Sequence, residues 1–200
     1  MPVIVQPKPP RPGERPLAPM VDPRCPTAKL RNNLIEAERI VQLVGRYVHI
    51  GATNRWEDWK RSKLSLLGAA MSERFTAKNF RRMTGSIEGT RWEDVQDIAA
   101  ATKRSGYGNC MEQSALAFVL LYESGVRPIN LMEVENGDHA FTIIGILPDK
   151  AAFAAYPQNW GPDAVVCDPW AKAWYPASEI RRRRDPGEVY SSYLRASIGS

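Results

Sequence analysis

The sequence predicts an α+β domain, because the spacing of its hydrophobic residues changes along the polypeptide. From residue 27 to residue 124, apolar residues recur three and four positions apart, the spacing of buried helix faces. After residue 125, two runs typical of β-strands follow, joined by the turn Asn136-Gly137-Asp138. A helical N-terminal half, then one helix packed on an antiparallel sheet, is the element order of an α+β domain.

The first 26 residues have a different composition from the rest of the protein. They hold nine of the 16 prolines and few large apolar side chains. Such a segment buries too little surface to offset the entropy cost of ordering it. We therefore expect a proline-rich disordered leader at 1–26 and a single domain at 27–200. That domain has enough apolar residues for one core, since 44% of the sequence is hydrophobic.

The helices are predicted from their caps and apolar stripes. Thr27 is placed to cap the first helix, and Thr90 with Glu93 has the spacing of a capping box for a helix that reaches Ala101. Gly125 is placed to end the last long helix. The predicted helices are residues 27–44, 56–75, 76–83, 90–101 and 109–124.

The strands are predicted at residues 129–135, 140–147 and 164–168, with helical turns at the end of the sequence. Residues 148–163 form an insertion before the third strand. The insertion contains Tyr156, Pro157, Asn159 and Trp160, which suggest a loop that covers a cleft or contacts a substrate.

Charge and composition exclude several function classes. The formal net charge is +5, and four arginines are consecutive at 181–184. No aromatic residues are interleaved with them, so we interpret the block as a solvated helix face and expect no nucleic-acid partner. No run of eighteen apolar residues could span a membrane, and the N-terminus lacks the features of a cleavable signal peptide.

Cys110 is the strongest candidate for a nucleophile. It lies where a glycine-rich loop becomes a helix, and the free N–H groups of a helix N-terminus stabilise a thiolate and can bind an oxyanion. Taken alone, a cysteine in an apolar helix is more simply explained as core packing. Cys25 and Cys167 show no disulfide pattern with it, which favours a reducing compartment where the protein acts.

His139 and Asp168 are candidates for the base and the group that orients it. His139 follows the predicted turn, and Phe141 and Ile143 share its face of the strand. Asp168 ends an apolar strand, where its carboxylate would fix the imidazole tautomer and stabilise the imidazolium. Cys167 should point to the opposite face. His49, in an apolar helical tail, is interpreted as structural.

Three motifs in order resemble the transglutaminase-like branch of papain-like cysteine hydrolases. They are Gly108-Asn-Cys-Met-Glu-Gln-Ser-Ala, Asp138-His-Ala-Phe-Thr-Ile-Ile-Gly and Val166-Cys-Asp-Pro-Trp, and the resemblance covers residues 105–176. It implies a papain-like core with Cys110, His139 and Asp168 as a catalytic triad. Asn109, Tyr107 and Trp170 are candidate oxyanion or substrate groups, with Trp92 a further oxyanion candidate. The 29-residue spacing of His139 and Asp168 is long for the family.

The resemblance implies a hydrolase that acts on amides of proteins, as a glutamine or asparagine deamidase or as a protease. The proline-rich leader and the triad are similar to those of bacterial effectors, which implies secretion without a cleavable signal peptide and action in a target-cell cytosol. A secretion chaperone or immunity protein is then an expected partner, besides the protein substrate. No cofactor is expected.

Other interpretations remain open from the sequence. The protein could be a transglutaminase, or a cytoplasmic, non-catalytic interaction module that binds its partner through the leader. A zinc site at Cys110, His139, Cys167 and Asp168 is disfavoured, because no Cys-x-x-Cys or His-x-His pair is present. No metal is therefore expected.

Overall fold

The structure, a computed structural model, describes residues 27–52, 91–135, 137–146, 155–185 and 187–196. The leader at 1–26, Cys25 and the helices predicted at 56–75 and 76–83 lie outside the described residues. The described part is a mixed α/β arrangement in which helices pack on an antiparallel sheet, so the α+β prediction is confirmed at that level.

The helices are α1 (Ala28–Tyr47), α2 (Trp92–Ser105), α3 (Cys110–Glu123) and the short α4 (Ile180–Arg183). As predicted, Thr27 caps α1, and its Oγ1 accepts the N–H of Leu30 at 2.9 Å. The predicted cap of α2 is wrong by one residue. Arg91 is the N-cap, and its N–H donates to the buried carboxylate of Asp94 at 3.2 Å. The helix continues four residues beyond Ala101, to Ser105.

Five antiparallel strands form one sheet in the order β4-β3-β2-β1-β5. The strands are β1 (Ile129–Val134), β2 (Ala140–Ile144), β3 (Val165–Asp168), β4 (Ala173–Pro176) and β5 (Tyr190–Ala196). Strands β4 and β5 were not predicted, and the helical turns predicted at the end of the sequence are wrong for 190–196, since β5 pairs with β1 along its length. Helical turns occur earlier, at residues 177–183.

The two faces of the sheet have separate hydrophobic cores. The face with Leu131, Ile144 and Cys167 packs under α1 and α3. The face with Phe141, Ile143 and Val166 packs under Trp160, Ala177 and Ile180. The predicted alternation of β2 and β3 is therefore confirmed: Phe141 and Ile143 share one face, and Cys167 faces α1 instead. No helix among the described residues is both long enough and apolar enough to cross a membrane.

Two buried hydroxyl groups fix α3 against β2. Ser114 Oγ donates to the carbonyl of Ala140 at 2.9 Å, and Thr142 Oγ1 donates to the carbonyl of Ser114 at 3.0 Å. Both side chains are fully buried. Because Ser114 lies one turn after Cys110 and Ala140 follows His139, this pair of bonds sets the distance between the helix and the strand that carry them.

Replacing Ser114 by Ala should cost about 1–2 kcal/mol of unfolding free energy, because a buried carbonyl loses a donor. Urea denaturation followed by tryptophan fluorescence measures it. Ser124→Ala is the matched control, since Ser124 Oγ also donates to a backbone carbonyl, that of Leu120 at 2.8 Å, at the exposed end of the same helix. Equal losses of unfolding free energy in the two variants would contradict the view that the Ser114 hydrogen bond holds α3 against β2.

Candidate active site

The loop before Cys110 is held by the segment that follows α1. The N–H of Ile50 donates to the carbonyl of Gly106 at 2.8 Å, and the N–H of Gly108 donates to the carbonyl of Gly51 at 3.2 Å. Gly106 has a φ of 73°, and a Cβ there would lie 2.4 Å from His49 Cε1. Only glycine fits this turn without strain. These backbone contacts fix the position of residue 110, the first residue of α3.

Cys110 is the first residue of α3 and is 8% exposed. The N-cap is Asn109, whose own N–H donates to the Glu112 carboxylate at 3.0 Å. The sulfur of Cys110 lies 3.8 Å from the carbonyl oxygen of Asp138, to which the thiol can donate. The first N–H groups of a helix have no acceptor within the helix, so the sulfur lies in the positive field of α3.

His139 and Asp168 form a buried ion pair. Nε2 of the imidazole donates to Asp168 Oδ2 at 2.6 Å, and the two side chains are 8% and 3% exposed. The second carboxylate oxygen, Oδ1, accepts the N–H of Ala171 at 2.9 Å. Trp170 meets the imidazole edge-on at a centroid distance of 5.3 Å, and Phe141 stacks on it at 5.9 Å. These contacts fix the ring and shield the pair from water.

The pKa of His139 is raised from 6.5 to about 9. Burial by itself lowers this pKa, but hydrogen bonds with Asp168 and Cys110 and the negative charge of Asp168 outweigh burial. Because Nε2 is taken by Asp168, the other ring nitrogen, Nδ1, is the one available to Cys110. The structure therefore brings the three predicted triad residues together: Asp168 bonds His139, and His139 bonds Cys110.

The arginine block at 181–184 is only partly a solvated face. Arg181, Arg182 and Arg183 are exposed, as predicted. Arg184 instead folds inward: it bonds both carboxylate oxygens of Glu188, at 2.7 and 3.1 Å, and its guanidinium lies 5.9 Å from the ring centroid of Phe141. Its positive charge lowers the pKa of His139. The helix ends at Arg183, so Arg184 and Glu188 do not share a helix face, and helical spacing did not indicate this pair.

Of the candidate oxyanion and substrate groups, three lie near the triad and one lies away from it. Asn109 adjoins Cys110, and Tyr107 is buried in the loop that leads to it. Trp170 lies against the imidazole. Trp92 is not at the site: it packs on Phe118 and Tyr122, at 6.0 and 4.4 Å between centroids. These residues lie more than two turns along α3 from Cys110, roughly 12 Å or more.

The interpretation of the 148–163 insertion as a covering loop is wrong for Trp160. Its side chain is fully buried and packs edge-on against Tyr190 at a centroid distance of 5.3 Å. Tyr156 is 48% exposed, whereas residues 148–154 lie outside the described part. A large apolar side chain is more stable in the core than in solvent. The sequence did not show where Trp160 would be buried, because the strand that carries Tyr190 was not predicted.

The remaining cysteine and histidine are outside the site. The sulfur of Cys167 lies 3.7 Å from the carbonyl of Ala37, and burial raises the pKa of this thiol far above its ordinary value. His49 has an exposed ring whose Nδ1 lies 3.1 Å from the carbonyl of Tyr47. Within the described ranges, no group of three His, Cys, Asp or Glu side chains could hold a metal ion.

No protein-family model and no curated protein sequence matches this sequence. Its function is therefore inferred from the chemistry and geometry of Cys110, His139 and Asp168.

Proposed function

We propose that this protein is a cysteine-dependent amide hydrolase that acts on proteins, with Cys110, His139 and Asp168 as its triad. The observation that carries the proposal is the buried Asp168–His139 pair bonded to a cysteine at a helix N-terminus. A nucleophile, a base bonded to it and a third group that orients the base are the parts of nucleophilic catalysis. The core is proposed to be papain-like, supported by the order of a cysteine helix followed by histidine and aspartate strands.

In the proposed reaction, the Cys110 thiolate attacks the carbonyl carbon of an amide and forms a C–S bond. The electron pair of the C=O bond moves to oxygen, and the backbone N–H of Cys110 donates to that oxyanion. His139 gives its proton to the nitrogen, the C–N bond breaks, and the amine or ammonia leaves. Water then attacks the thioester, His139 takes its proton, and a carboxylic acid and the free thiolate are released.

Asp168 serves this cycle by holding the imidazolium between its two proton transfers. The 2.6 Å bond orients the ring, and the carboxylate charge stabilises the protonated form. Trp170 covers one side of the pair and keeps it dry, which strengthens the electrostatic attraction. Asn109, next to Cys110, is the side chain proposed to assist the backbone donor at the oxyanion.

Protease, deamidase and transglutaminase reactions share the same thioester. Release of ammonia from a glutamine or asparagine gives a deamidase, release of a peptide gives a protease, and attack of an amine on the thioester gives a transglutaminase. We propose the hydrolytic reactions on a protein of a target cell, on the strength of the resemblance to bacterial effectors. The alternative is a binding module that keeps the fold and uses residues 1–26 as its partner-binding segment.

The proposal is tested by the alkylation rate of each cysteine with iodoacetamide as a function of pH, measured by peptide mass mapping. At pH 6 we expect Cys110 to react at least tenfold faster than Cys167 or Cys25, because the imidazolium stabilises its thiolate. His139→Ala should remove this advantage. His49→Ala is the matched control and should keep it.

A Cys110 that reacts no faster than Cys25 in the folded protein would overturn the hydrolase proposal. The binding-module alternative would then be favoured, and deletion of residues 1–26 would be the test of partner binding. Circular dichroism of His139→Ala separates loss of the base from loss of the fold.

A further inference from the structure

A cleft of about 550 Å³ opens between α1, α3 and the turn that joins β3 to β4, and none of Cys110, His139 and Asp168 lines it. This volume is within the range of small-ligand pockets and would hold a dipeptide-sized group. We call it the Lys172 cleft. The residues that line it include Val41, Val48, Gln113, Pro169, Lys172 and Trp174.

The Lys172 cleft and the triad share two structural elements. Gln113 lies one turn along α3 from Cys110, and its Nε2 donates to the carbonyl of Gly108 in the cysteine loop at 2.7 Å. Pro169 directly follows Asp168. The turn that begins there places Trp170 against His139, and it places Lys172 in the cleft. A group bound in the cleft therefore lies next to the elements that position the reacting groups.

The chemistry of the lining is apolar with one cation. Val41, Val48, Pro169 and Trp174 give an apolar surface, and Lys172 is the one formally charged residue among the lining residues. No acidic side chain of the described residues forms a salt bridge with Lys172. Within the described part of the chain, its ammonium therefore has no carboxylate partner.

The backbone holds Lys172 in an unusual conformation. Its φ is 54°, which makes it the one non-glycine residue with positive φ among the described residues. The N–H of Lys172 donates to the carbonyl of Pro169 at 3.1 Å and closes the turn. Left-handed backbone is unfavourable for a residue with a side chain, and such conformations concentrate at functional sites. Glycine or asparagine would adopt this conformation more easily, but neither carries a charge.

We propose that the Lys172 cleft binds the substrate segment beside the reactive amide, through an apolar side chain and a neighbouring carboxylate. The inference rests on the proposed hydrolase function and names its substrate class: a protein segment with an apolar residue next to an acidic side chain or a terminal α-carboxylate. Val41, Val48 and Trp174 hold the apolar side chain, and the Lys172 ammonium pairs with the carboxylate.

Binding is measured in the Cys110→Ala protein, so that no chemistry is required. Three probes are compared: N-acetyl-leucine, N-acetyl-leucyl-glutamate α-amide, whose only carboxylate is in the side chain, and the neutral N-acetyl-leucinamide. The readout is the ¹H–¹⁵N signal of the Trp174 indole, assigned with Trp174→Phe. We expect at least one carboxylate probe to bind fivefold or more tightly than the neutral probe, and the tighter one identifies the source of the carboxylate.

Lys172→Gln should abolish the preference for carboxylates, whereas Lys29→Gln, a control at an exposed position in the first turn of α1, should retain it. Equal affinity for the three probes, a preference that survives in Lys172→Gln, or no response of Trp174 would overturn the inference.

The wild-type protein separates this inference from the proposed function. Alkylation of Cys110 by N-chloroacetyl-leucine is compared with alkylation by N-chloroacetyl-leucinamide. If Cys110 is reactive but the Trp174 indole signal does not respond to the probes, the cleft inference is rejected and the hydrolase proposal is not. A responsive Trp174 together with an unreactive Cys110 supports the cleft as a binding site and rejects the hydrolase.

Discussion

Replacing Asp168 by Asn is expected to lower the pKa of His139 from about 9 to near 6.5 or below. The reason is that Asp168 supplies both a 2.6 Å hydrogen bond and a negative charge to the imidazolium, while burial of the ring, which opposes protonation, stays. A fall of the His139 pKa from about 9 to 6.5 corresponds to a roughly 300-fold weaker hold on the proton. At pH 7.5 the imidazole then changes from mostly protonated to mostly neutral.

The protein is well suited to this measurement, because it has only two histidines. Imidazole NMR signals followed from pH 5 to pH 10 give both titration curves, and His49→Gln assigns them. Asp168→Asn is compared with the wild type over the same pH range. If the pKa of His139 falls by less than one unit in Asp168→Asn, Asp168 does not govern the protonation of this ring.

The same substitution should change the reactivity of Cys110. With a neutral imidazole, the sulfur loses the cation that stabilises its thiolate, so alkylation of Cys110 at pH 6–7 should slow by tenfold or more. If a substrate is identified, the effect on turnover should be larger, about 10³–10⁴-fold, as expected when the base loses its orienting carboxylate. Wild-type alkylation at the same pH is the reference.

The raised pKa of His139 also makes a prediction for stability. A histidine with a higher pKa in the folded state binds protons more tightly there, so its contribution to stability is fully present below pH 6.5. The contribution is lost as pH rises through about 9. Urea unfolding at pH 6 and pH 9.5 should therefore show a smaller decline with pH in Asp168→Asn than in the wild type.

The triad could be proposed from the sequence because each member lies at a point that local rules locate well. Cys110 follows a glycine loop at a helix start, His139 follows an Asn-Gly turn, and Asp168 ends an apolar run before proline. These are boundaries between elements, where turn and capping residues give a strong signal. The face of β2 that carries Phe141 and Ile143 followed from the period of two.

The features that could not be predicted depend on contacts between distant residues. The strand β5 has no strong alternation of its own and is defined by pairing with β1, about 60 residues earlier. Likewise, Arg184 lies in a run of four arginines, and only the fold shows that this one turns towards Phe141. The Lys172 cleft is assembled from α1, α3 and a turn, so no local pattern could indicate it.

Replacing Trp160 by Ala is expected to cost about 3–5 kcal/mol of unfolding free energy, the usual range for removing a large buried aromatic side chain. Trp160 is 0% exposed and packs edge-on against Tyr190, which in turn packs edge-on against Phe141 at 5.7 Å. Phe141 stacks on the His139 ring, so the cavity should also loosen the support of the imidazole. Urea denaturation gives the loss of stability.

Tyr156→Ala is the matched control, because it removes an aromatic side chain four residues earlier that is 48% exposed. Its cost should stay within about 0.5–1 kcal/mol. The comparison separates two views of the insertion. If Trp160→Ala costs no more than Tyr156→Ala, Trp160 covers the cleft from outside, as the sequence suggested. If the cost is several times larger, residues 155–163 belong to the second core and support His139 from beneath through Tyr190 and Phe141.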